Sequence, residues 1–216
     1  MLFSKCQNNK TIDLSNILED TLTISDNQDY KKSNQNIFTS QQKNKIIGTI
    51  KFGDSKKVFD KKKAEFIKKS KNKDSEILID NDPRLGNYIF SEVGMVDLYD
   101  DDKIYWLRII GRPIQWEDYN SLIPDQINAL KEVIVQQYGN TDDEHEVIDR
   151  LNIEEGYNYN VYGWNIGNKR LEIQVVEKGY YYYVDLLIFD SEVNNRIEKQ
   201  LDEKKSKNTA DAKGAL

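Results

Sequence analysis

The chain has 216 residues, of which 38% are hydrophobic and 31% charged, with a net charge of -6. That length suits one domain with tails, or at most two small domains. The single cysteine excludes an internal disulfide, and no run approaches the roughly 20 apolar residues of a membrane-crossing helix.

The first 45 residues are the most polar part. After MLFSKC comes a stretch rich in Asn, Gln, Ser and Lys (QNNK, SDNQDYKKSNQN, SQQKNK) with too little apolar content to fold alone. An apolar start ending at Cys6 and followed by a polar tether resembles the tail of a bacterial lipoprotein signal peptide, which implies lipid attachment at Cys6. Phe3 stands where the usual box has Leu, Lys5 directly precedes the cysteine, and the apolar run is short for a signal peptide. A start codon further upstream reconciles these departures. The alternative is a disordered terminus whose cysteine is incidental. Inside the stretch, TIDLSNILEDTLTI (11–24) reads as a short helix or docking segment.

The folded part is expected from residue 45. KIIGTIKFG (45–53) reads as a strand ending at glycine, followed by a helix from an Asp54 or Ser55 cap to about Ser70. The apolar stripe of that helix is Val58, Phe59, Phe66 and Ile67. Its lysines, within the run from Lys56 to Lys73, form a solvated face rather than a docking patch. SEILID (75–80) is a short strand and NDPRLG (81–86) a loop. NYIFSEVGMVDLYD (87–100) is a strand pair, or one strand bent at Gly94. KIYWLRIIG (103–111) is apolar on both faces, which predicts a central strand. Ile123, Ile127, Leu130, Ile134 and Tyr138 recur at helical period over 120–138, with Gly139 as the stop. TDDEHEVIDRLN (141–152) predicts a short, capped, acidic helical turn.

Three strands then join by tight turns: YNYNVYGWNI, a turn at Gly167 and Asn168, KRLEIQVVE, a turn at Lys178 and Gly179, and YYYYVDLLIF. Alternation in the middle strand puts Leu171, Ile173 and Val175 inside, and Arg170, Glu172 and Gln174 on a wet face. In the last strand Tyr180, Tyr182, Val184, Leu186 and Ile188 form a core stripe, while Tyr181, Tyr183, Asp185, Leu187 and Phe189 share the other face. The tyrosines serve chiefly as sheet formers at the core boundary. The rival reading is an aromatic platform of Tyr181, Tyr183, Tyr162 and Trp164. A helix with Val193, Ile197 and Leu201 follows Ser191. The predicted class is α+β: a mostly antiparallel twisted sheet, about three amphipathic helices and a C-terminal three-stranded meander. Residues 1–44 are a tether, 45–205 one domain, and 206–216 a frayed tail.

IIGTIKFGDS, VIVQQYG, YGW and the closing hairpin together resemble small bacterial envelope proteins, with Asn140 where a proline often follows Y-G. The resemblance implies a location in the cell envelope but no activity. Residue chemistry adds none. His145, the only histidine, lies in the acidic DDEHE; no HExxH or phosphate-binding glycine loop is present. The acidic clusters at 80–82, 100–102 and 142–144 have turn composition rather than a calcium-loop pattern. No cofactor or metal is called for, and mixed charge argues against nucleic acid. In RPIQWEDY (112–119), Trp116 and Tyr119 sit between a strand and a helix, where they cap the core or anchor a partner. The expectation is a non-enzymatic binding module, lipid-anchored in the periplasm or outer membrane, that meets an unknown protein partner through some of Trp116, Tyr119, Tyr162, Trp164, Tyr181 and Tyr183. The alternative is a cytoplasmic immunity-type antagonist. A hydrolase with carboxylate chemistry is the remaining reading.

Overall fold

A computed structural model describes residues 38–71, 82–95 and 102–214, with side chains to 208. Contacts divide the chain into Met1–Asn34 and Gln35–Leu216, and all described residues belong to the second unit. Cys6, the 11–24 segment and the 75–80 strand lie outside the described residues.

The described elements run in order: α1 (Ser40–Asn44), β1 (Lys45–Ile47), β2 (Ile50–Lys51), α2 (Lys56–Ser70), β3 (Arg84–Leu85), β4 (Tyr88–Met95), β5 (Trp106–Gly111), α3 (Tyr119–Tyr138), β6 (Asp143–Glu144), β7 (Asn158–Ile166), β8 (Lys169–Lys178), β9 (Tyr181–Asp190) and α4 (Ser191–Gly214). β3 to β9 form one antiparallel seven-stranded sheet in the order β3-β4-β5-β9-β8-β7-β6. The class is therefore α+β, and the C-terminal meander β7-β8-β9 is present as the turns predicted. β5 lies between β4 and β9, the central place its two apolar faces require. Among the described residues both edge strands, β3 and β6, are two residues long. No described helix is long and apolar enough to cross a membrane.

The main core lies on one face of the sheet. α3 packs there against β4, β7, β8 and β9. It buries Ile123, Ile127, Leu130 and Ile134, the residues that its periodicity picks out. Each such side chain contributes about 1.5–3 kcal/mol relative to exposure. Buried Gln126 accepts the Ile89 N–H at 2.9 Å, which ties α3 to β4. Phe59 and Phe66 of α2 join the same core, and Phe66 stacks on Phe90 at 5.8 Å. Val58, placed in the same stripe by sequence, is exposed.

Several expectations change. Residues 45–53 form a hairpin, β1-β2, not one strand: Gly48 takes φ +55° and turns the chain. The fold also begins before Lys45, because α1 is capped by Thr39 and held by a buried lysine described below. α4 runs to Gly214, past residue 206 where the frayed tail was expected. Residues 141–152 hold the expected capped helical turn only at Arg150–Asn152, as a 3-10 turn, and a strand, β6, precedes it. There the sheet edge supplies backbone partners: Asp142 N–H donates to Gly163 O at 2.9 Å and His145 N–H to Val161 O at 2.8 Å.

Candidate interaction surface

Three loops meet at one end of the sheet: 112–118 after β5, 145–157 after β6, and the β8-β9 hairpin tip. Backbone bonds between Ile114 and Tyr182, both 2.9 Å, fasten the first loop to the start of β9. Ile114 is buried, so the chain beyond it is pushed outward into a 3-10 turn, Trp116–Asp118. The Arg150 guanidinium lies 3.7 Å over the Trp116 ring and donates to the Trp116 carbonyl at 3.0 Å, which joins the first two loops. Glu155 accepts the Gly179 N–H at 2.9 Å and joins the second loop to the hairpin tip. Asp149 caps the Arg150–Asn152 turn through Leu151 N at 2.8 Å.

Large apolar side chains project from this braced end. Tyr180 is 90% exposed, Leu151 75%, Tyr157 61%, Trp116 45% and Tyr181 41%. The hairpin turn is Gly179 and Tyr180, one residue later than expected, since Lys178 pairs with Tyr181. Both central residues have positive φ, +59° and +70°, as a type I′ turn demands. Tyr180 is thus a non-glycine residue in the left-handed region, and it leaves the core stripe assigned to it.

The residues singled out by sequence separate. Trp116 and Tyr181 belong to this surface. Tyr119 lies beneath it: buried, edge-on to Tyr182 at 4.8 Å, with its hydroxyl donating to Ile148 O at 2.8 Å. Burial pushes its pKa up. Tyr183 is half-buried on the opposite sheet face from Tyr182. Tyr162 and Trp164 face the main core instead. Ile173 pairs with Tyr162 on one side and with core residue Leu186 on the other, which fixes the face of all three. Trp164 is buried and its indole N–H donates to Gly139 O at 3.1 Å; Lys131 covers the Tyr162 ring at 3.9 Å. The four-residue platform is therefore not assembled. Tyr180, Tyr157, Leu151 and Arg150 were missed. Tyr180 and Tyr157 read as strand residues, and only Leu151, an apolar residue in the acidic 141–152 segment, offers a signal.

The sheet face away from α3 carries a polar chain across five strands. The fully buried Asp185 carboxylate accepts Arg108 Nε at 2.6 Å, a second bond from Arg108 Nη2, and the Gly111 N–H at 3.3 Å. Burial raises its pKa, while the guanidinium and the amide oppose that rise. Gln174, the cross-strand neighbour of Asp185, donates to Asn160 Oδ1 and to Glu172 Oε2, the latter at 3.1 Å. Gln174 is buried, so this part of the expected wet face is dry. Glu172 pairs with Arg170 at 3.1 Å, and Arg170 with Asp143 at 2.6 Å. Arg170 crosses β7 over Gly163, where a Cβ would overlap the guanidinium. Each carboxylate of this chain is paired with an arginine, which makes the chain a stitch between strands.

Lys169, on the core face, is also buried. Its ammonium donates to Gln42 O at 2.6 Å, Lys45 O at 3.1 Å and Tyr138 Oη at 2.9 Å. Desolvation, with the Lys45 charge in support, brings its pKa down to about 8. Among the described residues no group of three His, Cys, Asp or Glu could hold a metal ion. Compared with known proteins, the chain matches no family model, no curated protein and no solved structure.

Proposed function

We propose that the chain is a non-enzymatic interaction module that docks a protein partner through the aromatic loop end. The observation that carries this reading is the group of exposed Trp116, Leu151, Tyr157, Tyr180 and Tyr181 on three mutually braced loops. Large aromatic side chains supply most of the energy at protein contacts, and braced loops lose little freedom on binding. In this reading Cys6 carries the lipid that holds the module at a bacterial envelope, supported by MLFSKC and the polar stretch after it. The second reading, a cytoplasmic immunity-type antagonist, uses the same surface and is favoured by the carboxylates around it, notably Glu117, Asp118, Glu154 and Glu155.

A photo-crosslinking side chain at Leu151, compared with one at exposed Val58, tests the docking surface in native cells. A discrete adduct from position 151 alone is expected. Equal labelling from both positions, or none, would remove the loop end as the docking surface. Membrane fractionation with intact-mass measurement separates the locations. An acylated chain starting at Cys6 supports the envelope, and a soluble chain starting at Met1 supports the antagonist.

A further inference from the structure

We infer that the partner presents a basic, arginine-bearing segment to the aromatic end. This rests on the reading that the aromatic end is the docking surface. Glu117, Asp118, Glu146, Asp149, Glu154 and Glu155 are all exposed on the two loops that carry Trp116, Leu151 and Tyr157. Of the two arginines on these loops, Arg112 is half-buried and Arg150 is turned inward over Trp116 and onto its carbonyl, and the six carboxylates outnumber these cations and the exposed Lys178 of the hairpin tip. The surface is therefore aromatic at its centre and acidic around it. Aromatic ring faces are negative and attract cations, and carboxylates at the rim steer and pair them. A guanidinium satisfies both at once, since it stacks on a ring while its edge hydrogen-bonds a carboxylate. Nucleic acid, an anionic lipid surface and an acidic protein would each bring like charge against these carboxylates. A purely apolar partner would desolvate them without compensation.

The chain's own Arg150 shows the geometry such a segment would adopt: a guanidinium 3.7 Å above a ring, with one N–H on a carbonyl. Tyr180, Tyr181 and Tyr157 offer further exposed rings for the same contact.

The test is titration calorimetry of the full chain with a peptide alternating Arg and Gly, and with counterparts carrying Gln or Glu in place of Arg. The Arg peptide should bind, and more weakly as salt rises. Its affinity should fall roughly tenfold in Glu117→Gln/Glu154→Gln and by a similar factor in Tyr180→Gly/Tyr181→Ser. Tyr180→Gly suits the type I′ turn better than tyrosine, so loss of binding there is not loss of fold. If the Gln or Glu peptide binds as tightly and the tyrosine variant abolishes it, the docking surface stands and the basic partner is overturned. If the Arg peptide binds but ignores the tyrosine variant, the docking surface itself fails. Absence of binding by the Arg peptide overturns the inference.

Discussion

Lys169 and Tyr138 are joined twice: the ammonium donates to the phenol oxygen at 2.9 Å and lies 4.3 Å from the centre of the same ring. The remaining bonds of Lys169 go to carbonyls of Gln42 and Lys45, at the end of α1, where helix carbonyls lack partners. One buried cation thus fixes the start of the fold to β8 and to the end of α3. With its folded pKa near 8 and an ordinary value of 10.5, the unfolded chain holds this proton more tightly. Stability contributed by this group therefore rises as pH increases from about 8 to about 10.5, by up to roughly 3 kcal/mol. Urea unfolding of the wild type and Lys169→Met at about pH 7 and about pH 10 isolates that gain, because Met cannot titrate. An equal pH response in both proteins would refute the assignment.

Arg108→Met leaves Asp185 buried and charged without its partner. A loss of about 3–5 kcal/mol at neutral pH is expected. Protonating Asp185 removes the unpaired charge, so the variant should recover part of the loss as pH falls. Its folded carboxyl has a raised pKa, and stability declines as pH climbs through that value. Arg108→Met/Asp185→Asn should be less destabilised than Arg108→Met. Denaturant unfolding of the four proteins in the cycle measures the coupling.

Tyr180 has φ +70° in a two-residue turn, a conformation that costs an L side chain about 1–2 kcal/mol. Because the ring is almost wholly exposed, little packing offsets that cost. Tyr180→Gly should raise the thermal midpoint, by about 1 kcal/mol of stability, while weakening partner binding. A lowered midpoint would mean that the ring supports the fold.

Gly163→Ala places a methyl group where the Arg170 guanidinium lies. Arg170 must then release Asp143 or Asn165, and a destabilisation of about 1–3 kcal/mol is expected. The same substitution in an Arg170→Ala background should cost less, which a double-mutant cycle reads directly.

Much of the architecture was legible because each element repeats one period. The α3 stripe from Ile123 to Ile134 and the alternation of β8 state their buried faces outright. Sequence was silent where one residue resets the phase. At Gly48 a positive φ splits an apparent strand into a hairpin. A bulge between Asn160 and Tyr162, with pairing across β8, carries Tyr162 and Trp164 to the core face, away from Tyr181 and Tyr183. Gln174 reads as a solvated residue by alternation, yet it is buried within the Asp185 network. The proposed docking surface was half visible. Trp116 stood out as a loop aromatic, but Leu151, Tyr157 and Tyr180 share the surface only because three separate loops converge.

Among the described residues the seven-stranded sheet ends on both sides in strands of two residues, and one of them is Asp143–Glu144. A long, flat, apolar rim would template the rim of the next copy. Here an approaching strand meets, at β6, two exposed carboxylates. The two carboxylates of β6 therefore place like charge against like wherever two copies would meet rim to rim on that side.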